Sequence, residues 1–239
     1  MSDTAAIEVE NVSISFDGVR ALDRCTLRVE KGESLGIIGP NGSGKTTLLN
    51  VVNGYYRPEE GKVMIFGRRI DGLPPHRISR MGVGRVFQVT NVFKNMTVLE
   101  NIMAQSVWMK ERKNLRSRAL EIMDLVGLPR NLKDELAGNV SGGQQKLVDI
   151  ARALLPQPEI LMLDEPVAGI HPIIKEKIIE VVDRLRREGK TLMVVSHDIP
   201  SILRMVDRLA FMNAGSILMV GDPDEVRRSS KVVEAYLGV

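Results

Sequence analysis

One cysteine, Cys25, is all the chain carries. Neither an internal disulfide nor a cysteine metal cluster can therefore hold the fold, and a reducing compartment suits it. Long apolar runs are also missing. None exceeds four residues, too short for a bilayer-spanning helix. The opening residues, Met1-Ser2-Asp3-Thr4-Ala5, lack the basic and apolar regions of a secretory leader, so none is expected. Aromatics make up only 4% of the chain, and no aromatic-interleaved basic groove is visible on which single-stranded bases could stack. Charge of one sign is barely in excess. Lys and Arg outnumber Asp and Glu by 33 to 30, mostly interleaved, whereas a nucleic-acid binder concentrates its positive charge on one face. The one dense run, Lys110 to Arg118, holds five positive residues against one negative; it reads as a solvated face or as a face near anionic lipid headgroups.

What is present is an ordinary globular composition over 239 residues, 44% hydrophobic and 26% charged. That excludes a disordered chain and allows one large domain, or a domain with a small subdomain. Strand and helix signals alternate, as in α/β architectures. The first strand signal covers Ile7 to Ile14 and turns at Asp17-Gly18; a second, half-exposed one lies near Thr26 to Val29. Leu35 to Ile38, Ile160 to Leu163 and Leu192 to Val195 are short apolar runs of the kind covered on both faces of a parallel sheet. Helices are expected from Lys45, Pro172 and Pro200, proline being tolerated in a first turn. From Gln88 to Asn139 the strand signal stops. Thr97 to Glu100 is a capping box opening a helix through about Trp108, and Leu115 to Val126 is a second amphipathic stretch ended by Gly127-Leu128-Pro129. Short strands return at Leu209 to Met212 and Ile217 to Val220, around a turn at Asn213-Ala214-Gly215.

Gly39-Pro40-Asn41-Gly42-Ser43-Gly44-Lys45-Thr46 fits G-x-x-x-x-G-K-[ST], a phosphate-binding loop between a buried strand and a helix. Its glycines let backbone N–H groups turn inward, and the helix N-terminus adds a positive dipole end. Lys45 is expected on the β- and γ-phosphates and the Thr46 hydroxyl on magnesium. Four apolar residues ending in Asp164-Glu165 describe a buried strand that delivers two acids to the ligand edge of the sheet. Asp164 suits magnesium, and Glu165 suits the attacking water.

Val140-Ser141-Gly142-Gly143-Gln144-Gln145 resembles the signature sequence of ATP-binding cassette (ABC) ATPases and precedes the Asp164-Glu165 strand at that family's interval. Read from its residues, Ser141 caps a helix and Gly142 and Gly143 expose N–H groups, a second anion site. The resemblance, which covers residues 7 to 239, implies a P-loop NTPase core of ABC type with an antiparallel β subdomain and an inserted α-helical signature subdomain. It implies one nucleotide-binding domain over 1–239, with 1–87 and 140–239 as the ATP-binding core and 88–139 as the helical part. In the family two such chains pair head to tail, so ATP lies between the loop Gly39 to Thr46, with Thr47, and the partner's Ser141, Gly142, Gly143 and Gln144. Position by position, Phe16 resembles the aromatic that stacks on adenine. Gln88 resembles the glutamine that touches magnesium and the attacking water. His197, past the strand ending in Val195, resembles the γ-phosphate histidine. Glu165, Gln88 and His197 would then be catalytic, and Thr46, Gln88 and Asp164 would hold magnesium. One position departs: after Glu165-Pro166 the family has leucine-aspartate, and His171 stands in the aspartate's place. It is either a helix-capping substitute or a change in how the loop joins two subunits.

The run from Gly84 to Asn101, the segment Pro158 to Gly169 and the ending Glu234 to Gly238 are similar to the ATPase subunits of branched-chain amino-acid importers. This similarity implies an ATP-hydrolysing subunit on the cytoplasmic face of the membrane. Its expected partners are a second ATPase (homo- or heterodimeric), two permeases and an extracytoplasmic binding protein, with no nucleic acid. ATPases for urea, short amides or lipopolysaccharide share the same core and tail, and a soluble ABC ATPase acting on nucleic acid or the ribosome is the alternative of another class.

Overall fold

The computed structural model describes residues 5–105 and 114–237. Trp108, Met109, the first part of the basic run at 110–113 and Gly238 lie outside the described residues. Two sheets organise the chain. The first is antiparallel, in the order β2 (Val19–Val29), β1 (Ile7–Phe16), β4 (Glu60–Ile65), β5 (Arg68–Arg69). The second runs β10 (Ser216–Gly221), β9 (Arg208–Asn213), β3 (Ser34–Ile38), β8 (Thr191–Val195), β7 (Ile160–Asp164), β6 (Val83–Val86). It is parallel from β9 to β6, and β10 returns antiparallel as a hairpin.

The central strands β3, β7 and β8 are buried at every residue, which is why they read as unbroken apolar runs. Their period of two still shows in what each side chain joins. Leu161 and Leu163 of β7 pack with helices α5 (Gly142–Leu154) and α6 (Pro172–Arg187). Ile160 and Met162 pack the other way, with helix α1 (Lys45–Val52) and the antiparallel sheet. The large sheet is thus the middle layer of three. Cys25 of β2 lies in the second of these clusters, fully buried. Burial pushes its thiol up to about 12, against a hydrogen bond with the Ile217 backbone.

Helix α3 (Val98–Met103) opens with Thr97 and Glu100 forming the expected capping box, though as described it stops at Met103, short of the expected Trp108. Helix α4 (Leu115–Leu125) ends at the Gly127 stop. Helix α6 carries Pro172 in its first turn, and His171 caps it: His171 Nδ1 accepts from Ile173 N at 3.4 Å. The helix expected from Pro200 begins at Ile199 and lasts one turn, α7 (Ile199–Ile202), capped by Asp198. The strand expected near Thr26 extends back to Val19, because its outer half pairs with β1 through irregular register shifts that blur the alternation. Strands β4, β5 and β6, a short helix α2 (Pro75–Ser79) and the terminal helices α8 (Pro223–Arg228) and α9 (Ser230–Leu237) gave no usable sequence signal.

Candidate active site

Strands β3, β8, β7 and β6 lie side by side and parallel, so their carboxyl ends share one edge, the edge where open α/β sheets hold ligands. β3 runs into the loop of 39–44. β7 ends on Asp164 and hands over Glu165, β8 hands over Ser196 and His197, and β6 hands over Phe87 and Gln88. Residues as far apart in sequence as Gly39 and His197 meet here because each follows a neighbouring strand.

The loop is tight enough to require glycine. A Cβ at Gly39 would stand 2.0 Å from the carbonyl oxygen of Met212. At Gly44 it would stand 2.5 Å from that of Ala21, on a backbone with φ 105° that L side chains rarely adopt. Gly44 gives α1 no side-chain cap, which leaves the first-turn N–H groups available to an anion. Lys45 folds back over the loop: its ammonium donates to the carbonyls of Gly39 and Pro40, each at 2.8 Å, and reaches Ser43 Oγ at 3.4 Å. Burial pulls the Lys45 pKa below the ordinary lysine value, opposed by the nearby charges of Glu165 and Asp164.

Thr46 Oγ1 donates to Asp164 Oδ1 at 3.3 Å, while Asp164 Oδ2 accepts from Arg85 Nη2 at 3.2 Å. Both partners of this ion pair are almost wholly buried. Burial raises the Asp164 pKa, and Arg85 and Thr46 work against the rise. The Arg85 guanidinium lies 4.7 Å from the Phe87 ring, and its Nε and Nη1 have no hydrogen-bond partner among the described residues. Glu165 has φ 46°, a left-handed backbone costly for a non-glycine residue. It is held there by several contacts. Its N–H donates to Val195 O at 2.9 Å. Its Oε1 accepts from His197 N at 3.0 Å and stands 2.8 Å from His197 Nδ1, and its Oε2 accepts from Ser196 Oγ at 3.3 Å.

Asn41, Gly42, Gly44, Lys45, Thr46, Thr47, Gln88, Glu165 and His197 line one cavity of about 360 Å³, together with Ala21. Asp164 joins it through Thr46, and Gly39, Pro40 and Ser43 lie beneath Lys45. Phe16 packs elsewhere, edge-on to Tyr56 with ring centroids 4.9 Å apart. Ser141, Gly142, Gly143 and Gln144 also stand away from the lining, at the start of α5. Ser141 Oγ accepts from Gln144 N, and the Gln144 side chain accepts from Ser141 N in return. Sequence reasoning missed Arg85, Ser196 and Lys146. Lys146 is 1% exposed and donates to the carbonyls of Phe87 and Gln88 at 2.5 and 3.0 Å. Its signal was a lysine on the apolar side of an amphipathic helix.

Residues 22–168 match the family model for the ABC transporter. The chain belongs to the ABC transporter family. The probable branched-chain amino acid transport ATP-binding protein LivG of Archaeoglobus fulgidus is 38% identical, over 97% of this chain and 95% of its own length. The high-affinity LivG protein of Escherichia coli is 33% identical over 97% of each. Among solved structures, the ADP conformation of an ATP-binding cassette of an ABC transporter superposes with a TM-score of 0.88 at 34% identity, covering 98% of this chain and 99% of that one. A dimeric post-hydrolysis cassette bound to ADP and Pi gives 0.82 at 29% identity, covering 91% and 98%. The chain is an ATPase of this family.

Proposed function

We propose that this ABC cassette is the ATP-hydrolysing subunit of an importer for branched-chain or other hydrophobic amino acids. The near full-length likeness to proteins named for that transport carries the reading. Residues 88–139 form the helical subdomain of the proposal, and 1–87 with 140–239 the core. The loop Gly39 to Thr47 cradles the phosphates, Lys45 exchanges its loop carbonyls for β- and γ-oxygens, and Phe16, braced by Tyr56, offers its ring to adenine. Thr46, Asp164 and Gln88 present only oxygen donors, the chemistry magnesium prefers, and the Thr46–Asp164 contact shows two of them already adjacent. Magnesium, when bound there, would neutralise charge on the phosphate oxygens.

Glu165 is the base. Its carboxylate borders the cavity and is fixed by His197 and Ser196, so it takes the proton of a water whose oxygen bonds to the γ-phosphorus as the bond to ADP breaks. Because Ser141 to Gln144 stand away from this cavity, they serve a second copy's ATP, and closing the dimer completes both sites. Val89 and Phe93, strongly exposed beside Gln88, face the permease. The subunit sits peripherally on the cytoplasmic side, in keeping with the fact that no helix of the described residues is long and apolar enough to cross a membrane. Two permeases, a second ATPase and an extracytoplasmic binding protein complete the system.

Glu165→Gln is expected to lower kcat by at least about a hundredfold and to trap an ATP-bound dimer, read by size-exclusion chromatography with light scattering. Parental turnover in this variant would overturn the assignment of the base. A pull-down of the tagged chain from detergent-solubilised host membranes is expected to recover two permeases and a second ATPase; recovery of soluble proteins alone would refute the importer.

A further inference from the structure

The proposed chemistry gives Arg85 no part, yet Arg85 holds a residue that this chemistry uses. It stands on β6 in register with Met162 of β7, and Met162 packs on the α1 side of the sheet. Asp164, two residues beyond Met162, shares that side, and Thr46 of α1 meets it there. The Arg85 side chain is 4% exposed. Tyr55 and Phe87, edge to face with ring centres 5.7 Å apart, lie 6.0 and 4.7 Å from its guanidinium carbon. Nη2 donates to Asp164 Oδ2 at 3.2 Å, while Nε and Nη1 have no hydrogen-bond partner among the described residues. Buried donors left unpaired are destabilising, and attraction to the ring faces offsets only part of that. A methionine would fill the same aromatic slot without the penalty. What it would lack is the charge beside Asp164.

The two oxygens of Asp164 are thereby divided, Oδ1 toward Thr46 and Oδ2 toward Arg85. The buried carboxylate already has its counter-charge, and one oxygen is left to give. We infer that Arg85 is a positioning residue that makes divalent-cation binding conditional on nucleotide. It neutralises Asp164 and turns a single oxygen toward Thr46, so a metal finds too little negative charge and too few donors until phosphates supply both. Magnesium suits such a site, because it is commonly held by one or two carboxylates together with substrate phosphates. The inference rests on the reading of Thr46 and Asp164 as metal donors above. A purely structural arginine would stabilise the contact of β6 with β7 without governing what Asp164 can hold.

Manganese(II) alone is the probe, titrated into the full-length chain stripped of nucleotide and followed by the loss of its free-ion paramagnetic resonance signal. Arg85→Met is expected to bind it at least about tenfold more tightly than the parent, since a unit positive charge a few ångströms from a cation opposes it strongly at protein dielectrics. Arg85→Lys, which retains the charge, should bind like the parent. Arg85→Gln keeps a donor for Oδ2 and removes only the charge; it should gain affinity as the methionine variant does, and it carries the test if that variant does not fold. Thermal melting checks folding in each. Adding Asp164→Asn to either variant should abolish the gain, which locates the site. A melting temperature that falls while manganese affinity stays at the parental value, or a gain that survives Asp164→Asn, overturns the inference. Manganese that fails to tighten a non-hydrolysable ATP analogue on the parent would instead overturn the reading of the metal donors beneath it.

Discussion

Gly44 meets two independent demands, a left-handed backbone and a carbonyl oxygen where a side chain would begin. Gly44→Ala is therefore expected to lower stability by roughly 1–3 kcal/mol from backbone strain, and by more if Ala21 cannot give way. Nucleotide affinity should fall with it, measured by thermal denaturation and by titration with a fluorescent ATP analogue. Relief of the clash without loss of affinity would show that the loop tolerates a wider turn. Demands of this kind are local, which is why the tight glycine loop between β3 and α1 was legible from eight consecutive residues. Arg85 and Lys146 were not. Their partners lie 79 and 58 to 59 residues away, and a single charged residue in a strand or helix carries no mark of what it will meet. Glu165 lies between these extremes: its identity as a strand-ending acid was readable, but its left-handed backbone and its hold on Ser196 and His197 exist only once β7 and β8 pair.

At the scale of elements, the turns and caps were the reliable text. Thr97, Ser141 and Pro172 each mark the helix start that the structure shows, because a cap acts within three residues of itself. Strand β6 escaped notice because four residues including a glycine and an arginine have no period to read. Helix α7 is a single turn, so Asp198 caps little helix. Its carboxylate instead joins α7 to α6 through Lys175. Burial alone would raise the Asp198 pKa, but the hydrogen bonds from Lys175 and Ser201 and the lysine charge outweigh it and hold the group below the ordinary value. A carboxylate whose folded pKa is depressed adds stability above its unfolded pKa and loses that contribution as pH falls through the folded value. Asp198→Asn keeps a capping side chain and removes the charge. It is expected to melt lower than the parent at pH 7, by up to about 1 kcal/mol, with the gap closing below about pH 4 as the parent's carboxyl protonates. Melting curves from pH 7 to 3 measure this, and a gap that does not narrow would assign the difference to packing.

For the whole molecule, the Ser141 end of α5 stands away from the cavity lining, and on the proposed reading the chain is half of two sites. Head-to-tail pairing predicts complementation. A Lys45→Ala chain and a Ser141→Arg chain are each expected to be inactive alone, yet a mixed dimer joins the intact loop of one to the intact signature of the other. At equal amounts half the dimers are mixed and each has one working site, so activity should return to about a quarter of the parent's per chain. No recovery on mixing would place both halves of a site within one copy. From the residues alone the proposed pairing was visible only as two anion-binding patterns far apart; that they serve different copies was what the family resemblance implied. Following the dimer calls for reporters, and the chain already permits them. With its thiol pushed up to about 12 and its side chain fully buried, Cys25 is ionised in only about one molecule in 10⁵ at neutral pH. A maleimide dye or cross-linker will therefore ignore it. New cysteines placed at exposed positions outside the loop and the signature, such as Glu121 and Glu180, would be the sole reactive handles, so opening and closing could be watched by fluorescence with the nucleotide-binding residues unaltered.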